Sequence, residues 1–118
     1  MNERIDNFHI IIGKIKDSNM LVIVEGRKDR IALEKLGLKN IIELSKKPLY
    51  QIVEEIASGN KEVIILTDLD KKGKELYGKL SRDMQKFGVR INNELREFLF
   101  KNTKLRQIEG FTNYLESF

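Results

Sequence analysis

Apolar positions along this chain follow two rhythms in turn. Ile5, Phe8, Ile12 and Ile15 recur at helical spacing within residues 2–16, and Asp17-Ser18-Asn19 closes that run with polar stops, which predicts an amphipathic helix. Leu21-Val22-Ile23-Val24 then shows no alternation at all. Short, β-branched and continuous, it predicts a strand over 20–24 that is covered on both faces, as strands of parallel sheets are. The helical rhythm returns in Ala32, Leu33 and Leu36 of a helix over 27–36, stopped by Gly37, and a second short strand follows over 40–44. Behind Pro48, whose fixed φ suits a first helical turn, Leu49, Ile52, Val53 and Ile56 mark a helix that Ser58-Gly59-Asn60 ends. Val63-Ile64-Ile65-Leu66 is a third strand of the continuous kind. It leads to a helix over 72–87 with Leu76, Leu80, Met84 and Phe87 as its stripe and Gly88 as its stop. Residues 89–91 predict a fourth strand, and Asn92 or Asn93 caps a helix carrying Leu95, Phe98 and Leu99. Beyond it, 104–108 is compatible with an edge strand and 111–115 with a terminal helical turn.

Strands that alternate with helices across short connections predict an α/β fold: three layers, α/β/α, around a mainly parallel four-stranded sheet with right-handed crossovers. At 118 residues the chain reads as one domain, its core over about 20–91, flanked by the helix over 2–16 and a helical extension over 92–118. If the first and third strands are neighbours, as in the order 2-1-3-4, the segments leaving them meet where the winding reverses, the usual ligand position in an open α/β sheet.

Composition narrows the chemistry. With no cysteine and His9 alone, the chain has no disulfide framework, no thiolate nucleophile and no zinc site built on sulfur or imidazole; His9, beside the first apolar stripe, reads as a surface histidine. Any metal is then a hard cation held by oxygen: magnesium, manganese or calcium. No apolar run approaches the roughly 20 residues of a membrane span and no signal-peptide pattern opens the chain, so the cytoplasm is the expected location. A formal net charge of +4 leans weakly toward a polyanionic partner.

The acids give that partner a chemistry. Glu25-Gly26 follows the first strand and Asp68-Leu69-Asp70 the third, so a parallel sheet delivers three carboxylates to one edge. Their mutual repulsion is relieved by a cation, and magnesium takes one or two carboxylates while keeping sites for water and phosphate oxygens. Asp68 and Asp70, in one turn, are the natural ligands. Glu25 arrives from another strand and is a third ligand as well as the general acid/base candidate, because acidic neighbours raise proton affinity. Gly26 and Gly73 would let backbone turn and approach the ligand closely. Arg27, Lys28 and Arg30 follow the first strand, Lys46 and Lys47 the second, and Lys71, Lys72 and Lys74 the third. Basic first turns oppose the helix dipole, a local cost that favours a functional reason: cations that hold a phosphate backbone while the metal acts on one linkage.

Leu21-Val22-Ile23-Val24-Glu25-Gly26-Arg27-Lys28-Asp29 and Ile64-Ile65-Leu66-Thr67-Asp68-Leu69-Asp70-Lys71-Lys72-Gly73 resemble the two signature motifs of the Toprim domain. That domain, Rossmann-like in fold, is shared by bacterial-type primases, type IA and type II topoisomerases, OLD-family nucleases and maturases of small ribosomal RNA. The resemblance covers about 20–91 and suits a compact, stand-alone member. It implies Glu25 as the acid/base residue, Asp68 and Asp70 as magnesium ligands, Gly26 and Gly73 as turn glycines, and Asp29 as an acid supporting the site from behind. Ser45-Lys46-Lys47 departs from the small polar pair often found after the second strand.

Tyr50, Tyr77 and Tyr114 sit in no motif suited to the nucleophile of a topoisomerase, so the resemblance points toward the nuclease and maturase branch, with water as nucleophile. The expected function is magnesium-dependent phosphodiester chemistry on DNA or RNA by a small nuclease. The alternative is a nucleic-acid-binding module that acts with a catalytic partner protein or as a homodimer. The C-terminal stretch with Arg96, Lys101, Lys104 and Arg106 interleaved with Phe98 and Phe100 could grip a strand, although core packing is the simpler reading of the phenylalanines. A phospho-acceptor domain fits poorly, because its paired acids follow the first strand and its single acceptor the third.

Overall fold

The computed structural model describes residues 3–44 and 47–110, apart from the side chain of Ile5. Ser45, Lys46 and the predicted terminal turn over 111–115 therefore lie outside the described residues. The chain runs α1 (Glu3–Ser18), β1 (Leu21–Val24), α2 (Arg27–Lys35), β2 (Ile41–Glu43), α3 (Leu49–Gly59), β3 (Glu62–Ile65), α4 (Lys71–Lys86), β4 (Arg90–Ile91), α5 (Glu94–Asn102) and a 3-10 turn, Ile108–Gly110. The four strands lie in the order β2-β1-β3-β4, every pair parallel. The expected adjacency of the first and third strands is present, with Val22 opposite Ile64 and Ile23 opposite Ile65.

Continuous apolar strands are explained by the two cores they serve. Val22, Val24, Ile64 and Leu66 face one side, where Phe8, Ile12 and Ile15 of α1, Leu33 of α2 and Leu95 and Leu99 of α5 close over them. Leu21, Ile23, Val63 and Ile65 face the other, against Ile52, Val53 and Ile56 of α3 and Leu80 and Met84 of α4. A one-residue slip in either strand would exchange the two faces, and because both are apolar, register rests on the hydrogen-bond ladder and side-chain shape. The result is the three-layer α/β/α architecture, with helices on both faces of a parallel sheet.

Helix ends follow local chemistry. Asn19 takes φ 53° after α1, and Gly37 and Gly88 take φ 91° and 78° after α2 and α4, left-handed positions that release a helix toward a strand. Pro48 stands one residue before α3, at φ −58°. The edge strand expected over 104–108 does not form. Its backbone groups go elsewhere: the carbonyl of Arg106 accepts from Leu69 N at 2.7 Å, and the amide of Ile108 donates to Asp68 Oδ1 at 2.8 Å. Ile108, 1% exposed, anchors the segment in the core beneath α2.

Candidate functional site

Because β1 and β3 are parallel neighbours, Glu25 and the Thr67-Asp68-Leu69-Asp70 turn leave the sheet side by side at its carboxyl edge. The turn is fixed from several directions. Asp68 N donates to Glu25 Oε1 at 3.0 Å, joining the two strand exits directly. Asp70 caps α4, its Oδ1 accepting from Gly73 N at 2.8 Å and setting a negative charge against the positive helix start. The buried Thr67 hydroxyl donates to the Gly73 carbonyl at 2.7 Å. Gly73 is required here by space: a Cβ on it would lie 1.9 Å from the carbonyl oxygen of Asp68. Gly26 is different, with extended backbone at φ −148° and nothing near the position of a Cβ, so neither turn nor packing demands glycine there.

Glu25, Asp68 and Asp70 thus each commit one carboxylate oxygen to a backbone amide, and among the described residues the second oxygen of each accepts no protein hydrogen bond. Those unengaged oxygens are hard donors of the kind magnesium takes. They do not form a closed cage: among the described residues, no group of three His, Cys, Asp or Glu side chains is gathered closely enough to hold an ion by itself. The arrangement fits a cation that takes one or two protein carboxylates and completes its shell with water and substrate oxygens, the ordinary habit of magnesium.

Asp29, in the first turn of α2, lies behind these acids and is 7% exposed. Its Oδ2 accepts from Gly26 N at 3.1 Å, which holds the exit of β1. Its pKa is pushed up from 3.8 to about 6, first by burial and then by the charge of Asp68, with smaller contributions from Glu25 and Glu109, against the lowering effect of the Gly26 amide. Glu109 is an acid that sequence reading did not place here. It reaches the edge because the 3-10 turn packs on α2, a contact with no local sequence signal.

Arg96 is the second such residue. Expected among the strand-gripping cations, it is instead 8% exposed, donating from Nη1 to the carbonyl of Thr67 at 2.6 Å and from Nη2 to that of Asp68 at 3.1 Å. Its guanidinium stacks over the Tyr77 ring, 4.5 Å from the centroid. It is a brace for the acid turn, and burial lowers its pKa from the usual arginine range while Tyr77, Glu25 and Asp68 oppose that effect.

The remaining cations divide. Arg27 and Lys28 are exposed at the start of α2, and Lys71 and Lys72 at the start of α4, all on the edge that carries the acids. Arg30 is structural, bonded to Glu43 at 2.8 Å and to the Ile41 carbonyl at 2.9 Å. Lys47 pairs with Glu55 at 3.3 Å on the exposed surface. Phe98 belongs to the core, but Phe100 is 44% exposed, with Lys74 Nζ 4.6 Å and Arg106 Cζ 5.0 Å from its ring centroid.

Comparison with known proteins places this geometry in a wider group. A family model described as Toprim domain matches residues 20–98. A UPF0292 protein of Pyrococcus abyssi is 45% identical over 104 residues, spanning 87% of this chain and 77% of the relative. One from Methanocaldococcus jannaschii is 35% identical, spanning 86% and 83%. Among solved structures, a putative protein from Aquifex aeolicus superposes with a TM-score of 0.79 at 28% identity, covering 92% of this chain and 98% of that one.

Proposed function

The chain belongs to the Toprim domain family, and on that basis we propose that it is a magnesium-dependent nuclease, a small enzyme that hydrolyses phosphodiester bonds in nucleic acid. One observation carries the reading: the exits of β1 and β3 are tied together at Asp68 N and Glu25, with an unengaged carboxylate oxygen on each of Glu25, Asp68 and Asp70. Asp68 and Asp70 would hold the cation, with Glu25 beside it rather than as a third direct ligand. Manganese is an acceptable substitute, since both ions prefer oxygen donors. When bound, the ion would offset phosphodiester charge and stabilise the developing oxyanion. Glu25 would take a proton from water or give one to a leaving oxygen. Arg27, Lys28, Lys71 and Lys72, with Lys46 and Lys47 after β2, would hold the flanking phosphates, a contact that carries affinity without sequence preference.

A second reading rests on a specific observation. Asp68 Oδ1 is held by the Ile108 amide, and among the described residues no three-acid cluster is assembled. Both features suit a nucleic-acid-binding subunit whose catalytic site is completed by a partner protein or a second copy. The test is cleavage of labelled single-stranded and structured RNA and DNA with magnesium or EDTA, comparing wild type with Asp68→Asn. Magnesium-dependent cutting lost in the variant supports the nuclease. Salt-sensitive binding without cutting supports the subunit and overturns the nuclease.

A further inference from the structure

Beside the acids, between α4 and α5, lies a cleft of about 290 Å³ with a predominantly apolar lining. Leu69 forms part of its wall, and Leu69 is the residue between Asp68 and Asp70. The cleft therefore begins at the turn that carries the acids. Its other apolar surfaces are the rings of Tyr77 and Phe100. Ligand cavities run from about 300 to 1,000 Å³, so this one lies at the small end, suited to a flat ring system such as a single nucleobase.

Charge around the cleft is unevenly placed. Lys74 and Arg106 hold their cationic groups against the Phe100 ring, and among the described residues neither forms an ion pair. Lys101 adds a third cation at the rim. Three polar side chains complete the lining: Asn93, Glu97 and Arg96, the last already committed to the Thr67 and Asp68 carbonyls. Asn93 accepts from the Tyr77 hydroxyl through Oδ1, which leaves its amide N–H groups to donate, and the Glu97 carboxylate can accept. An apolar slot with one donor, one acceptor and three cations at its mouth matches a heterocyclic base attached to phosphate. A sugar phosphate lacks the ring, and an apolar peptide leaves the cations unanswered.

We propose that the α4–α5 cleft receives an unpaired nucleobase, stacked on Phe100 with Tyr77 lining the slot, so that the substrate is single-stranded or locally unpaired nucleic acid whose adjoining phosphodiester lies at the Asp68–Asp70 turn. This substrate class rests on the phosphodiester reading of the acid edge. A base within a duplex is stacked on both faces and cannot enter. Stacking on an aromatic side chain is tolerant of sequence because every base offers a π-face, whereas Glu97 favours bases that carry an exocyclic amino group. Lys74 and Arg106 have to yield part of the ring face as the base enters, and they exchange that contact for the phosphates on either side.

Two measurements separate this subsite from the reading beneath it. The first is anisotropy of a labelled 12-nucleotide single strand and of the matching duplex, with magnesium replaced by calcium, for wild type, Phe100→Ala and Phe100→Tyr; melting curves confirm that the variants fold. The expected result is preference for the single strand, a loss of about five- to a hundred-fold in Phe100→Ala for the single strand alone, and recovery in Phe100→Tyr. The second follows backbone amide resonances of Leu69, Tyr77 and Phe100 on addition of AMP or ribose 5-phosphate, with shifts expected for AMP only. Equal single-strand binding by wild type and Phe100→Ala overturns the subsite and leaves the phosphodiester reading in place. AMP shifts without binding of either polymer support a base cleft and overturn the polymer substrate. Binding of neither overturns both.

Discussion

Asp29 carries a charge that its surroundings oppose. In the unfolded chain its carboxyl titrates near 3.8, and in the folded protein near 6. Below about pH 4 both states hold the proton and Asp29 costs the fold nothing. Between those values the unfolded chain loses its proton first, so stability falls as pH rises, and above about 6 the whole cost is present. Asp29→Asn keeps an oxygen for the Gly26 amide and removes the charge. It should melt higher than wild type at pH 7.5 in EDTA, and the gap should close as pH falls from 6 toward 4. A variant that melts lower at pH 7.5 would contradict this. Arg96 works in the opposite direction, since its burial is balanced by two carbonyl acceptors and the Tyr77 ring. Arg96→Ala strands both carbonyls and should lower unfolding free energy in urea by about 3 kcal/mol. Arg96→Lys should recover little of it, because an ammonium cannot reproduce the planar fork.

At the level of the strand exits and helix starts, the junction of β3 with α4 is the tightest point. Gly73 admits no Cβ beside the Asp68 carbonyl, and its amide serves the Asp70 cap. Gly73→Ala should therefore cost more than about 3 kcal/mol in chemical denaturation and displace both acids. A cost near the few tenths typical of a surface change would show that the turn can relax. Much of this junction could be read in the sequence. Val63 to Leu66 is apolar without alternation because both sheet faces are covered, and the acids follow at once, so strand, edge and candidate ligands could be read together. The segment after α5 could not. Its partners are the Leu69 amide and the Asp68 carboxylate, about 40 residues away, and nothing in Lys104 to Ile108 distinguishes a strand edge from a segment bonded to a remote turn. Arg96 was obscured for the same reason, because an arginine beside Leu95 on a short amphipathic helix reads as solvated until the carbonyls it reaches are known. Ile108→Ala should test the docking of that segment, with a loss of about 2–5 kcal/mol if the side chain is as embedded as its burial indicates.

Across the whole molecule, the parallel sheet sorts charge to one end. β1 and β3 place acids at the carboxyl edge, and α2 and α4 begin there with exposed Arg27, Lys28, Lys71 and Lys72. Among the described residues no helix is long and apolar enough to cross a membrane. Removing Lys71 or Lys72 should weaken nucleic-acid binding about equally for all sequences and reduce the salt dependence by about one phosphate contact each, measured as the slope of log affinity against log salt. The proposed activity depends most on the acid edge being a cation site rather than a set of solvated strand ends. The direct measurement is the melting temperature of wild type and of Asp68→Asn/Asp70→Asn across a magnesium titration, since a ligand that binds only the folded state raises stability by about 2.7 kcal/mol at a hundredfold excess over its dissociation constant. The carbonyl oxygens of the two asparagines can still accept from Ile108 N and Gly73 N, so the double variant should fold. A saturable rise in wild type that is absent in the variant is the predicted result; identical curves with and without magnesium in both proteins would contradict it.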